Sequence, residues 1–162
     1  MLERFKVPAD IAVRVSAEHM RTTVENLFTT LGMSGKDARH SADVLIYADI
    51  RGIDSHGVSN MTRAYVAGLQ RGTINPKPSP KIVRDTGVAV TVDCDNGLGI
   101  AVCPDIMDQA IERARQHGIG VAIAFNAGHY GAAAYYAQLA LSHDMIGISM
   151  TTGGVQVAPT FG

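Results

Sequence analysis

The sequence has only two cysteines, Cys94 and Cys103. They do not form a C-x-x-C pair, and two are too few for a disulfide framework or a thiolate metal site. They read instead as buried free thiols in a reducing compartment, where cysteine behaves as a small hydrophobe. An excess of one charge is also missing. Fourteen Lys and Arg face fifteen Asp and Glu, for a formal net charge of −1. Without a dense basic block there is no footprint for a polyanion, so no nucleic-acid partner is expected. No apolar run approaches the roughly 20 residues needed to cross a bilayer. The mixed, charged stretch from Met1 to Asp10 has no signal-peptide core, so no membrane association is expected and the chain reads as cytoplasmic.

Several catalytic signatures are absent too. There is no G-x-G-x-x-G, and Gly118-Ile119-Gly120 precedes a predicted strand where the Rossmann fingerprint would follow one. Ser55 and His56 are adjacent, a poor arrangement for a nucleophile and its base, and no G-x-S-x-G elbow occurs. Asp54, His56, His129 and His143 could converge on a metal, but no H-E-x-x-H or similar spacing supports one, and none is expected.

What remains is the make-up of one ordinary globular domain: 162 residues, 46% of them hydrophobic, with a mean hydropathy of +0.09. Ser16 precedes Met20, Val24, Leu27, Phe28 and Leu31, a helical spacing closed by Gly32. Ser34 with Asp37 resembles a capping box ahead of a second helix through Ala38, Ala42, Leu45 and Ile46. A third, through Met61, Tyr65, Val66 and Leu69, follows Asp54-Ser55-His56-Gly57 and ends at Gly72. The proline-rich stretch Asn75 to Pro80 cannot hold a helix and is the best candidate boundary. It divides a helical segment, residues 1–74, from an α/β segment, residues 75–162.

In the second segment Lys81–Arg84 and Val88–Val92 read as a hairpin around Asp85, Thr86 and Gly87. Pro104 suits the first position of a helix that runs through Ile106, Ala110 and Ile111 to Gly118. Ile119–Phe125 reads as a strand, Gly131 to about Ser142 as a small-residue helix, and Met145–Met150 as another strand. The fold class expected is therefore α/β, a mixed sheet with packed helices. Val155–Gly162 reads as an apolar strand and turn whose edge would be exposed, which suggests an incomplete domain.

Four loops concentrate polar residues and glycine where the periodicity breaks, the usual place for sites. In Arg51-Gly52-Ile53-Asp54-Ser55-His56-Gly57, His56 suits an acid/base or ligand-orienting role, although the same residues suit a helix N-cap made by Asp54 or Ser55. In Asn126-Ala127-Gly128-His129-Tyr130-Gly131, His129 follows a strand and precedes a helix, a favoured catalytic position from which it could remove a hydroxyl proton. A surface histidine in a glycine turn fits the same residues. Asp95-Asn96-Gly97-Leu98-Gly99 and Thr151-Thr152-Gly153-Gly154 offer backbone amides to an anion, or are simply turns.

Taken in order, Arg51 to Gly57, Gly72-Thr73-Ile74-Asn75-Pro76, Gly97-Leu98-Gly99, Asn126 to Gly131, Met145-Ile146-Gly147 and Val157-Ala158-Pro159 resemble the malate/L-lactate dehydrogenase family, which includes ureidoglycolate dehydrogenase. The resemblance implies a non-Rossmann fold. It also implies hydride transfer between NAD or NADP and a 2-hydroxy or 2-keto acid, with a homo-oligomer, a homodimer, as the expected assembly. By the family motifs His129 is the acid/base on the substrate oxygen, and His56 is the active-site histidine of the D-S-H-G motif. Thr151, Thr152 and Gly153 fall in a stretch that contacts the cofactor. Many members carry an arginine four residues after the motif histidine to hold the substrate carboxylate. This chain has Asn60 there, and Arg63 is the substitute one turn later. Family members also continue beyond residue 162, so the chain is expected to be the N-terminal part of a longer enzyme. The alternative is a non-catalytic remnant that co-assembles with an intact homologue.

Overall fold

The computed structural model describes residue 8 and residues 10–152. Among them are five α-helices and a three-stranded sheet. Helix α1, Ala17–Thr30, starts where Ser16 accepts the His19 amide, and α2, Gly35–Ile50, starts where Ser34 accepts the Asp37 amide. The capping box expected at Ser34 is only half formed. The Ser34 hydroxyl donates to the Asp37 carboxylate at 2.7 Å, because aspartate is one methylene shorter than the glutamate that normally reaches back to the cap amide. Helix α3 is Val58–Gln70.

Strands β1, Lys81–Asp85, and β2, Ala89–Gly97, form the expected antiparallel hairpin, with Ile82 opposite Val92 and Asp85 opposite Val90. Helix α4, Gly99–His117, then crosses over to β3, Val121–Ala127, which runs parallel to β2 with Asp93 opposite Phe125. Parallel neighbours need such a crossover. The last helical elements among the described residues are α5, Ala133–Leu139, and a 3₁₀ turn, Ala140–His143.

Alternation along β2 buries Val90, Val92 and Cys94. They join Phe28 of α1, Val44 and Leu45 of α2, Tyr65 and Leu69 of α3 and Ile100 and Ile106 of α4 in one hydrophobic cluster. Residues from both sides of the proline stretch therefore share a core. Cys94 and Cys103 are both free and buried, as expected. Burial pushes the Cys103 thiol up to about 12.

Two expectations fail. Pro104 is not the first residue of its helix: α4 begins five residues earlier, where the Leu98 carbonyl accepts the Ala101 and Val102 amides at 2.8 and 3.2 Å. Burial of Gly99 to Cys103 outweighs the hydrogen bond that an interior proline forfeits. Met145–Met150 is not a strand. It finds no ladder partner among the described residues and is held by Ser149 Oγ to the Tyr130 hydroxyl at 3.1 Å and by Met145 N–H to the Ala140 carbonyl. Ile146, Ile148 and Met150 remain exposed. The strand read at Val155–Gly162 lies outside the described residues.

Candidate active site

The first histidine is set by how α2 hands over to α3. Gly52 turns the chain at φ +68°, and a 3₁₀ turn, Asp54–His56, leads into α3. No side chain of that turn caps α3; the cap comes from α2, where the Asp49 carboxylate accepts the Val58 amide at 3.1 Å. A Cβ at Gly57 would fall on that carboxylate, so the glycine after His56 is a packing requirement. Burial holds the Asp49 carboxyl above its usual range, opposed by the Val58 hydrogen bond. The N-cap reading of Asp54 and Ser55 is thereby replaced. Asp54 receives the Asn60 amide on its carbonyl at 2.7 Å, and Ser55 Oγ lies 2.9 Å from His56 Nδ1.

The second histidine is delivered by β3. Asn126 takes φ +52° and donates to the Asp93 carboxylate at 2.8 Å, turning the chain out of the strand. The Gly128 amide then donates to the Gly97 carbonyl at 2.9 Å. A Cβ at Gly99 would strike the Gly128 and His129 carbonyls, and one at Gly131, itself at φ +75°, would lie 2.7 Å from Val44 and 2.9 Å from Ile100. Gly97-Leu98-Gly99 is therefore the bed on which the His129 loop lies. The Asp95 to Gly99 loop offers little to a phosphate. Its Asp95 carboxylate accepts Asn75 Nδ2 and the Ser79 amide, both at 3.0 Å.

These loops bring His56 and His129 together: their rings stack with centroids 5.4 Å apart and planes 22° from parallel. Tyr65, buried on α3, places its hydroxyl 2.7 Å from His129 Nδ1, and the Gly131 amide donates to the same nitrogen at 3.2 Å. Burial and then the charge of His56 depress the His129 pKa. Burial raises that of Tyr65, which stays a hydroxyl at neutral pH. Two neighbouring groups with proton-exchanging nitrogens can hold, donate or accept a proton at one substrate atom.

The other expected residues are less gathered. Asn60 is exposed and spends its amide on Asp54 and on Ser59 Oγ, the latter at 3.3 Å. Arg63 is exposed and makes no hydrogen bond or ion pair among the described residues. Thr151 and Thr152 are exposed; Gly153 lies outside the described residues. Ser149, two residues before Thr151, lies with its Oγ 3.1 Å from the hydroxyl of Tyr130, the residue after His129. Among the described residues no group of three or more His, Cys, Asp or Glu could hold a metal ion, and no helix is long and apolar enough to cross a membrane. Sequence reasoning missed Tyr65 and Asp49. Tyr65 sat in an apolar helical stripe, and nothing local marks Asp49 as the cap of the next helix.

Fold and site together define a mixed α/β protein with a loop-borne histidine pair beside a buried tyrosine. The chain belongs to the malate/L-lactate dehydrogenase family, which it matches over residues 15–162. It is similar to a malate dehydrogenase of Pyrococcus abyssi, 45% identical over 150 residues, 93% of this chain and 41% of that protein. It is also similar to an L-sulfolactate dehydrogenase of Methanocaldococcus jannaschii, 38% identical over 88% of this chain and 41% of the relative. The solved structure of malate dehydrogenase from Pyrococcus horikoshii superposes with a TM-score of 0.78 at 38% identity, covering 81% of this chain and 37% of that one. The chain thus spans about two fifths of the length of these relatives.

Proposed function

We propose that this chain supplies the acid/base part of the active site of an oxidoreductase working between NAD or NADP and a 2-hydroxy or 2-keto acid of the malate or lactate type. The observation that carries the reading is the stacked His56 and His129 pair in a chain of this family. A bound nicotinamide would supply the hydride acceptor, or in reduction the hydride donor, for the carbon bearing the substrate oxygen. As the C–H bond gives up its hydride and the C–O bond becomes a carbonyl, the hydroxyl proton leaves to the histidine pair; reduction runs the same steps backwards. Arg63, with its charge unpaired among the described residues, is the group offered to the substrate carboxylate, where a planar guanidinium can bind two oxygens at once. Asn60 borders the same face as its polar neighbour on α3.

Thr151, Thr152 and Gly153 are the proposed cofactor contacts. What supports this fit is the bond from Ser149, two residues before Thr151, to the hydroxyl of Tyr130, the residue after His129. A non-Rossmann domain is supported by the mixed sheet and the absent glycine fingerprint. The share of the relatives' length that the chain covers supports reading it as part of a larger domain, with residues 1–74 and 75–162 as its proposed segments.

The test is calorimetric titration of NADH and NADPH into the purified chain, followed by assay with 2-keto acids. Saturable binding is expected, and His129→Ala is expected to lower turnover by about 10²–10⁴-fold, the usual loss of an acid/base group. A folded chain that binds neither dinucleotide favours a second reading, a non-catalytic subunit that pairs with an intact homologue. That reading is supported by β3, the last strand of the sheet among the described residues, where Val121, Ile123 and Phe125 are 41%, 53% and 45% exposed, since an exposed apolar patch marks a contact surface. Sedimentation of a stable monomer would remove it.

A further inference from the structure

We infer that Asp49 is the positioning residue of His56: it closes both ends of the loop that carries this histidine and so sets how the ring meets His129. The inference rests on the function proposed above, which gives the histidine pair its work. His56 has little of its own to hold it. Its Nδ1 faces Ser55 Oγ at 2.9 Å, a neighbour on the same loop, and its other ring contact among the described residues is the stack on His129. The backbone of residues 51–57 therefore decides where the ring stands.

Asp49 grips that backbone twice. Its carbonyl accepts the Gly52 amide at 3.1 Å, where the loop leaves α2, and its carboxylate accepts the Val58 amide at 3.1 Å, where the loop enters α3. Entry and exit are thus bonded to one residue. Contact adds to the bonds: an added Cβ at Gly57 would fall on the Asp49 carboxylate, so the backbone just after His56 rests on that group. The other backbone bonds from the loop to α2, the Arg51 and Ile53 amides on the Ala48 carbonyl, stop short of His56. The loop of His129 is fixed separately, by Asn126 on the Asp93 carboxylate and by the Gly128 amide on the Gly97 carbonyl, so a change at Asp49 reaches His129 through His56. Burial and then the charge of His56 lower the proton affinity of His129. The midpoint at which His129 titrates is therefore a gauge of whether His56 is in place.

The experiment is an NMR titration of the histidine ring protons in the 162-residue chain, with His56 and His129 assigned by the signals lost in His56→Gln and His129→Gln. Asp49→Ala is expected to raise the His129 midpoint, in the direction of His56→Gln, which removes the neighbouring charge outright and calibrates the shift. Asp49→Asn keeps an acceptor for the Val58 amide and is expected to leave the midpoint where the unsubstituted chain has it. Val58→Pro deletes the amide at the first position of α3, where proline is tolerated, and leaves the Asp49 charge in place. It is expected to move the midpoint as Asp49→Ala does, and it gives the reading if Asp49→Ala does not fold. An unmoved His129 midpoint in folded Asp49→Ala or Val58→Pro overturns the inference and leaves Asp49 as a helix cap alone. An Asp49→Asn chain shifted as far as Asp49→Ala overturns it too, since the charge and not the bond would then be at work. Because the readout needs no turnover, the outcomes separate. The expected shifts in a chain that binds no dinucleotide sink the function and leave the hold of Asp49 on His56 standing, while unmoved midpoints in a chain that binds do the reverse.

Discussion

At Asp49 one carboxylate is pulled two ways. It caps α3 through the Val58 amide, yet burial raises its pKa, so the ionised form that caps best is also the form that burial disfavours. Between the ordinary carboxylate value and the raised one, the native state binds more protons than the unfolded state. The contribution of this group to stability therefore falls as pH rises through that window. Asp49→Asn keeps an acceptor for the amide and removes the charge, and is expected to leave stability at neutral pH unchanged or higher and to flatten the slope. Asp49→Ala deletes the cap and is expected to cost about 1 kcal/mol. Urea midpoints of the three proteins across the acidic range check both. Two of the residues that matter at this scale, His56 and His129, were visible in the sequence because glycines and polar groups interrupt a periodic pattern there. Tyr65 was hidden for the opposite reason. It fits the apolar stripe of α3 and is buried in it, and only the placement of a loop 64 residues further on gives its hydroxyl a partner.

Among the elements, the contact that fixes His129 is the start of α4 against the loop after β3. Glycine inside a helix is normally worth replacing, since alanine gains up to about 1 kcal/mol in propensity. At Gly99 the added methyl would meet the carbonyls of Gly128 and His129, and backbone cannot yield as a flexible side chain does. Gly99→Ala is expected to lose about 1–3 kcal/mol, the range of overpacked cores, and to shift the His129 resonances. Gly35→Ala, at the start of α2 with nothing within 4 Å of its added Cβ, is the control and is expected to stabilise. Thermal melts of both proteins decide whether close packing or propensity governs these glycines. The same competition explains which elements were legible. Ser16 and Ser34 announce α1 and α2 because a cap is a local bond. The start of α4 was misplaced because Pro104 looked like a first-turn proline, whereas burial of the five residues before it sets the true start. Met145–Met150 has strand periodicity, but a strand exists only with a partner, and periodicity does not supply one.

Across the whole molecule, the division read at Asn75–Pro80 meets a core that ignores it. Leu45 of α2 is completely buried in the same cluster as Val90 and Val92 of β2, so the helical segment and the sheet cover each other's apolar faces. The proline stretch is itself tied down: the Asn75 amide donates to the Asn96 carbonyl at 2.9 Å, and Asn96 Nδ2 donates back to the Thr73 carbonyl at 3.0 Å. A linker between independent units would leave such groups to water. Leu45→Ala is expected to cost about 2–5 kcal/mol, as a leucine removed from a closed core does. If the two segments unfold as one, amide exchange at Val90 and Val92 accelerates by the same factor as exchange in α2, because each opening exposes both. If the segments are separate units joined by a linker, the loss stays in α1, α2 and α3 and protection in β2 is unchanged. Since His56 belongs to one segment and His129 to the other, that result also says whether the histidine pair is held by a single cooperative core or by the docking of two.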